Sequence, residues 1–282
     1  MKIIKNIEEM KIQVNLWKKE DSSIGLVPTM GFLHEGHESL IKRAVSENEH
    51  VVVYVFVNPL QFGPKEDFAA YPRDLDKDSE LCARNNADVL FAPEASELYD
   101  KDAATFVNVE RLTEGLCGAK RPGHFQGVCT VLTKFFNIVK PDRAYFGEKD
   151  AQQLAVVKRM ARDLNFDTQI IGCPIVREKD GLAKSSRNTY LSPEERTAAL
   201  VLFRSLMHAK EYILSNDNVT VQEIKSLITM EIMKEPLARI DYVEIVEGEN
   251  LKEAQEMRGP LLIALAVFIG RTRLIDNISI EI

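Results

Sequence analysis

Two histidines, His34 and His37, stand three residues apart in the run Val27-Pro28-Thr29-Met30-Gly31-Phe32-Leu33-His34-Glu35-Gly36-His37. Imidazoles at that spacing can face one way from a helical turn. As N–H donors they suit an anion. Gly31 and Gly36 let a phosphate come close to the backbone. The run follows a β-type segment and leads into a helical one, and a helix amino end offers unsatisfied N–H groups and a positive dipole end. The same residues also make an ordinary capped loop with two surface histidines. Zinc fits less well, because the metalloprotease pattern sets its histidines four apart with glutamate after the first. No metal ligand is assigned.

Four further clusters carry polar groups. Asn58-Pro59-Leu60-Gln61 follows a long apolar run, and the amides of Asn58 and Gln61 can both donate to and accept from a small substrate. Asn, Pro and Gly are also what a plain turn needs. Tyr71 beyond it closes a pocket or simply packs. Arg121-Pro122-Gly123-His124 precedes a helical stretch and offers a flexible approach to a ligand. Gly147-Glu148-Lys149-Asp150 opens another helix. There Lys149 is a mobile point charge for phosphate, Asp150 suits a helix cap, and Gln153 projects from the first turn. Lys184-Ser185-Ser186-Arg187 sets two hydroxyls beside a guanidinium, a compact phosphate clamp or a solvated loop. Neither G-x-G-x-x-G nor G-x-x-x-x-G-K-[ST] occurs, which excludes the common dinucleotide fingerprint and the P-loop. His50 and His208 read as structural or surface residues.

These clusters need elements to hold them. Residues 23–27, 51–57, 88–92, 143–146 and 167–171 read as strands, the second of them an unbroken apolar run of the kind buried on both faces of a parallel sheet. Helical patterns lie between, over 38–49, 74–85, 126–139 and 151–163. This alternation predicts an α/β fold. Beyond it, Ser192 caps a helix expected to run through Leu214, and Thr220 with Glu223 makes a capping box for a helix to Met233. Strand-like runs at 240–246 and 261–268 follow. The expected division is residues 1–176 and a smaller α+β domain over 177–282, with the Lys184–Arg187 clamp near the hinge.

Composition narrows the functions. Acidic residues outnumber basic ones 43 to 36 and the net charge is −7, so the basic surplus of a nucleic-acid binder is missing. A 282-residue chain that is 45% hydrophobic can build a sizeable core. Its longest apolar run, Leu261 to Ile269, falls short of the roughly 20 residues that span a bilayer. The amino end shows no signal-peptide pattern, so a cytoplasmic setting is expected. Cys82, Cys117, Cys129 and Cys173 lie far apart, which predicts free, mostly buried thiols.

Taken together, PTMGFLHEGH, FVNPLQF, RPGHFQGV, FGEKDAQQL and KSSRN resemble the pantoate–β-alanine ligase family in order and spacing, from about Leu26 to Leu191. The H-x-G-H and Ser-Ser-Arg elements are similar to the two signature motifs of class I aminoacyl-tRNA synthetases and nucleotidylyltransferases. The resemblance implies a Rossmann-type parallel sheet and a ligase that condenses pantoate with β-alanine. It implies ATP and Mg2+, a pantoyl adenylate intermediate, release of AMP and diphosphate, and a homodimer.

By the same resemblance, Met30, Gly31, Phe32, Leu33, His34, Glu35, Gly36 and His37 line the ATP site, with His34 and His37 donating to phosphates and His37 the proton donor. Gly147, Glu148, Lys149 and Asp150 also hold ATP, Val176 meets the adenine through its backbone, and Lys184, Ser185, Ser186 and Arg187 clamp the triphosphate. Gln61 contacts pantoate and β-alanine, Gln153 binds pantoate, and Asn58, Tyr71, Arg121 and His124 complete the pocket. Relatives commonly carry Met or Leu at position 184, so the lysine here either strengthens ATP binding or faces solvent. The competing readings are a nucleotidylyltransferase and a non-catalytic ATP sensor. The neutral amides of Gln61 and Gln153 suit a hydroxy acid better than a highly charged phosphate substrate. A tRNA synthetase fits least, for want of an evident anticodon-binding module.

Overall fold

The computed structural model describes residues 1–64 and 66–282. In chain order it carries β1 (Lys2–Ile4), α1 (Ile7–Lys19), β2 (Ile24–Thr29), α2 (Glu35–Glu47), β3 (His50–Val55), α3 (Leu75–Arg84), β4 (Val89–Phe91), α4 (Ala95–Leu98), α5 (Leu116–Lys120), α6 (His124–Val139), β5 (Arg143–Gly147), α7 (Ala151–Asp163) and β6 (Gln169–Cys173). Then follow α8 (Pro193–Ala198), α9 (Leu200–Ser215), α10 (Val221–Met233), β7 (Ala238–Glu247), β8 (Pro260–Ile269) and β9 (Thr272–Glu281). Short 3-10 turns cover Pro59–Gln61, Glu148–Asp150 and Ser186–Tyr190. The chain forms two compact units. The first comprises Met1–Glu110, Arg121–Glu148 and Val156–Pro174, the second Arg111–Lys120, Lys149–Ala155 and Ile175–Ile282.

The first unit is built on a six-stranded parallel sheet in the order β1-β4-β3-β2-β5-β6. One face packs Val27, Val51, Val53 and Leu90 against Leu40, Ile41 and Ala44 of α2 and Leu81 and Cys82 of α3. On the other, Tyr54 stacks on Phe135 of α6 with ring centroids 3.7 Å apart. Burial on both faces accounts for the unbroken apolar run in β3. Val51, Val52 and Val53 are at most 1% exposed in the single chain.

Connections from β2 lead to β3 on one side, while β5 lies on the other, so the sheet changes direction between β2 and β5. In open α/β sheets ligands bind outside the carboxyl ends of strands at such a point. The two strands part as they approach it. Their pairing covers only Gly25↔Arg143 and Leu26↔Ala144, whereas β2 stays paired with β3 through Thr29↔Val55 and β5 with β6 through Gly147↔Cys173. Pro28, which lacks an N–H, lies in the splayed end of β2.

The second unit has a three-stranded antiparallel sheet, β7-β8-β9. Ile263, Leu265 and Val267 of β8 pack against Leu202 and Leu206 of α9 and Ile224 and Ile228 of α10. Leu262 and Ala264, on the opposite face, meet Leu116 of α5 and Ala151 of α7. The helix expected from Ser192 through Leu214 is instead two helices. Ala199 joins them, and its carbonyl accepts from Leu202 N at 3.2 Å, an i,i+3 bond that interrupts the α ladder. All four cysteines are free and buried, as expected. Burial pushes the Cys82 and Cys129 thiols up to about 12, which makes them unreactive. Among the described residues no helix is long and apolar enough to cross a membrane.

Candidate active site

The turn after β2 is tight. Gly31 has φ +84°, and a Cβ there would lie 2.7 Å from Val55 Cγ1, so both backbone and space require glycine. Phe32 follows at φ 52°, a left-handed angle that costs a non-glycine residue about 1 kcal/mol. Asp78 offsets that cost. Its carboxylate accepts from Phe32 N at 2.9 Å and from Leu33 N at 2.6 Å. Burial raises the Asp78 pKa against the pull of those two N–H groups. The sequence reading missed this residue, although a signal was there. Asp78 shares the buried stripe of α3 with Leu81 and Cys82, and a carboxylate on an apolar face needs a partner.

The clamp delivers the chain to α2, which starts three residues earlier than its pattern predicts because the two histidines cap it. His34 Nδ1 accepts from Gly36 N at 3.1 Å, and His37 Nδ1 accepts from His34 N at 3.3 Å. The rings lie with centroids 4.1 Å apart. An Nδ1 that accepts carries no proton, so each neutral imidazole is protonated on Nε2. Both side chains thus carry an Nε2–H donor at the amino end of a helix, where the backbone also favours an anion.

Three motifs that are remote in sequence meet at Gln61. Asn58 is 1% exposed and its amide is fully engaged. Nδ2 donates to Gln61 Oε1 at 3.1 Å and to Gly127 O at 3.0 Å, while Oδ1 accepts from Tyr99 Oη at 2.9 Å and Leu60 N at 3.3 Å. Every donor and acceptor of the Asn58 amide is thus engaged, and one of its bonds holds Gln61. Gln61 Nε2 lies 3.0 Å from Met30 Sδ, which leaves one N–H and one lone pair of the amide without a described partner. Gly127 permits the contact with α6, since a Cβ there would fall 2.4 Å from the Leu60 carbonyl.

His124 and Arg121 fix the Gln61 backbone. His124 Nδ1 is 2.9 Å from Gln61 O and must donate to it; Nε2 then accepts from Arg121 Nη1 at 3.0 Å. Arg121 in turn is held by both oxygens of Glu66, at 2.6 and 2.7 Å. Burial draws the Glu66 carboxyl upward, but Arg121, together with the Gly63 N–H and the nearby His124, outweighs this and leaves it below the usual range. Tyr71 is buried and packs edge-on against Phe62 at 6.0 Å. Glu66 and Tyr99 were not singled out from sequence, and nothing local to them marks the role.

Gly147 ends β5. A Cβ there would meet no atom within 4 Å, and its φ is not left-handed, so neither packing nor backbone explains the glycine. In the second unit, Lys149 Nζ is 3.3 Å from Asp150 Oδ2, and Gln153 lies half-buried in the first turn of α7. Lys184 N donates to Val176 O at 2.9 Å, which joins those two predicted positions, while its ammonium stands 3.5 Å from Glu178. Ser185 caps the 3-10 turn by accepting from Arg187 N at 3.3 Å, and Ser186 is buried.

A family model described as pantoate-beta-alanine ligase matches residues 2–279. The chain is 60% identical over 279 residues to the pantothenate synthetase of Clostridium acetobutylicum, covering 99% of each, and 60% identical over 280 residues to that of Clostridioides difficile, again 99% of each. The pantothenate synthetase structure from Thermus thermophilus superposes with a TM-score of 0.95 at 45% identity over the whole of both chains. The pantoate-beta-alanine ligase of Francisella tularensis, complexed with β-γ ATP and β-alanine, superposes with a TM-score of 0.80 at 35% identity over 99% of this chain and 97% of that one. On this match of sequence and of fold, the chain belongs to the pantoate–β-alanine ligase family and is a ligase.

Proposed function

We propose that the chain couples pantoate to β-alanine at the expense of ATP, by way of a pantoyl adenylate. The pantoate carboxylate attacks the α-phosphorus and diphosphate leaves. The β-alanine amine then attacks the acyl carbon, and AMP leaves as pantothenate forms. The first step turns a poor acyl donor into a mixed anhydride with a good leaving group. The protein's part is positioning and charge stabilisation. The observation that carries this reading is Gln61, a buried residue whose side-chain amide is half-engaged by Asn58 and Met30, while His124 holds its backbone carbonyl and Gly127 makes room for its backbone. A neutral amide with one donor and one acceptor position left suits a hydroxy acid. The ATP and β-alanine held by the Francisella relative support the remaining substrates.

On this reading the Nε2–H groups of His34 and His37 donate to phosphate oxygens, and His37 serves as proton donor. Met30 to Leu33, Glu35 and Gly36 line the nucleotide, and Gly147 lets it approach the backbone of β5. Glu148, Lys149 and Asp150 hold it further, with Val176 at the adenine and Ser185, Ser186 and Arg187 on the triphosphate. Lys184 contributes its backbone, its ammonium being matched by Glu178. Gln61 binds pantoate and β-alanine and Gln153 binds pantoate, in a pocket completed by Tyr71, Arg121 and His124. Magnesium bound with ATP would neutralise phosphate charge and so ease the attack of one anion on another. The buried free thiols support a reducing, cytoplasmic setting. The family resemblance supports a homodimer, which light scattering tests.

Product analysis decides the central claim. AMP and pantothenate are expected only with ATP, magnesium, pantoate and β-alanine together, and pantoate alone should support exchange of diphosphate into ATP. An adenylylated product that retains AMP would instead identify a nucleotidylyltransferase.

A further inference from the structure

Strand β9 breaks its own pattern. Leu274 and Ile280 pack in the apolar core, yet Asp276 sits on the same face between them and is 2% exposed. Asn277, one residue on, faces the other way and is also buried. A buried ion pair is often no more stabilising than well-packed apolar residues in its place, so its presence in a core strand calls for another reason.

The contacts supply one. Asp276 accepts from Arg177 Nη1 at 2.6 Å and Nη2 at 2.8 Å. Arg177 also donates to Gly181 O at 3.0 Å and lies over the Phe203 ring at 4.7 Å. It thereby braces the Arg177–Ala183 hairpin, out of which Lys184 to Arg187 emerge. Gly181 has φ +100° and would place a Cβ 2.0 Å from Phe203, so the hairpin closes only with glycine there. On the opposite face of the strand, Asn277 Nδ2 donates to Lys149 O at 2.9 Å, and Asn277 N donates to Asp276 Oδ1 at 2.8 Å. Adjacent residues of a strand point to opposite faces. One peptide step of β9 therefore reaches the segment carrying Lys149 on one side and the base of the Ser185-Ser186-Arg187 segment on the other.

We infer that Asp276 and Asn277 are positioning residues for adenylate formation, holding Lys149 and the Lys184–Arg187 segment in fixed register. This rests on the proposal that those two segments grip the phosphates of ATP. A displacement of about 1 Å in a positioning group is enough to cost one to two orders of magnitude in rate.

The test compares Asn277→Ala, Lys149→Ala and the double variant in the full-length chain. For Asn277→Ala, pantoate-dependent diphosphate exchange should fall about tenfold, while attack of β-alanine on preformed pantoyl adenylate stays within about twofold of wild type. In the Lys149→Ala background the same substitution should add nothing, since it acts through Lys149. Exchange unchanged in Asn277→Ala, an equal fall in both half-reactions, or independent multiplication of the two effects overturns the inference. If Asn277→Ala does not fold, Asn277→Ser is measured against the same outcomes. If wild type itself shows no exchange, the catalytic reading has failed and not the contact. Amide hydrogen exchange over residues 149–153 then decides: faster exchange in the variant supports positioning and unchanged exchange rejects it.

Discussion

Leu33 N donates to the buried carboxylate of Asp78 at 2.6 Å, and the neighbouring Phe32 N donates to the other oxygen of the same group at 2.9 Å. This one side chain closes a turn whose two leading residues both have left-handed backbone angles. Asp78→Asn keeps the volume but turns an N–H2 toward those donors. We expect a loss of about 2 kcal/mol in unfolding free energy near neutral pH, in line with breaking hydrogen bonds to a charged group. The KM for ATP should rise several-fold with little change for pantoate. Burial raises the folded pKa of Asp78, so the folded state binds more protons than the unfolded one across the window from the ordinary aspartate value up to the raised one. That component of stability is present at low pH and is lost as pH rises through the window. Denaturant titrations over acidic pH should show it in wild type and not in the variant.

The two histidines cap a helix and present donors to a ligand, and substitution separates these roles. Asparagine is a good N-cap, whereas alanine costs about 1 kcal/mol at that position. His34→Asn should therefore retain wild-type thermal stability but lose activity, while His34→Ala loses both. For His37→Ala, kcat should fall about tenfold or more with a smaller change in KM, as for a donor that acts mainly in the transition state. An unchanged kcat would remove His37 from the mechanism.

Gln61→Ala should raise the KM for pantoate while calorimetric ATP binding stays near wild type. Asn58→Ala, which leaves Gln61 in place but without its orienting partner, should follow the same direction, because Asn58 donates to Gln61 Oε1 at 3.1 Å. Equal loss of ATP affinity in either variant would place the amide at the nucleotide instead.

The Glu66–Arg121 pair sets a pH dependence of the opposite sign. Arg121 holds the folded pKa of Glu66 below its ordinary value. The pair's contribution is present above the unfolded glutamate pKa, about 4.3, and disappears as pH falls through the lower folded value. Glu66→Gln should cost about 1–2 kcal/mol at pH 7, between surface and buried ion pairs, and the gap should close on acidification. Thermal melts from pH 7 downward measure it, and a gap independent of pH would contradict the assignment.

The Lys184–Arg187 segment should gain amide hydrogen-exchange protection when ATP is added, if its hydroxyls and guanidinium close on phosphate. Equal protection with and without nucleotide would assign it a static role.

Much of this protein is written locally. The apolar run at Val51–Val57 announced a doubly buried parallel strand, Ser192 announced a helix cap and Thr220 a capping box, and all three form; that Glu195 completes a box with Ser192 appears only in the structure. The five motif segments and their order determined the family and the fold class. These signals survive in sequence because periodicity and capping act over one or two turns. The engagement of Asn58, the bracing of Arg121 by Glu66, the clamp of Asp78 on Leu33 and the twin reach of Asp276 and Asn277 joined partners as far as 128 residues apart. The helical pattern through Ser192–Leu214 likewise carried no mark of the joint at Ala199. Periodicity can mark an acid such as Asp78 as lying on an apolar face, but it does not name the partner, and Asn58 or Glu66 alone looks like any surface amide or acid. Only packing, which takes these groups out of water and obliges each to find a partner, decided which of them would meet.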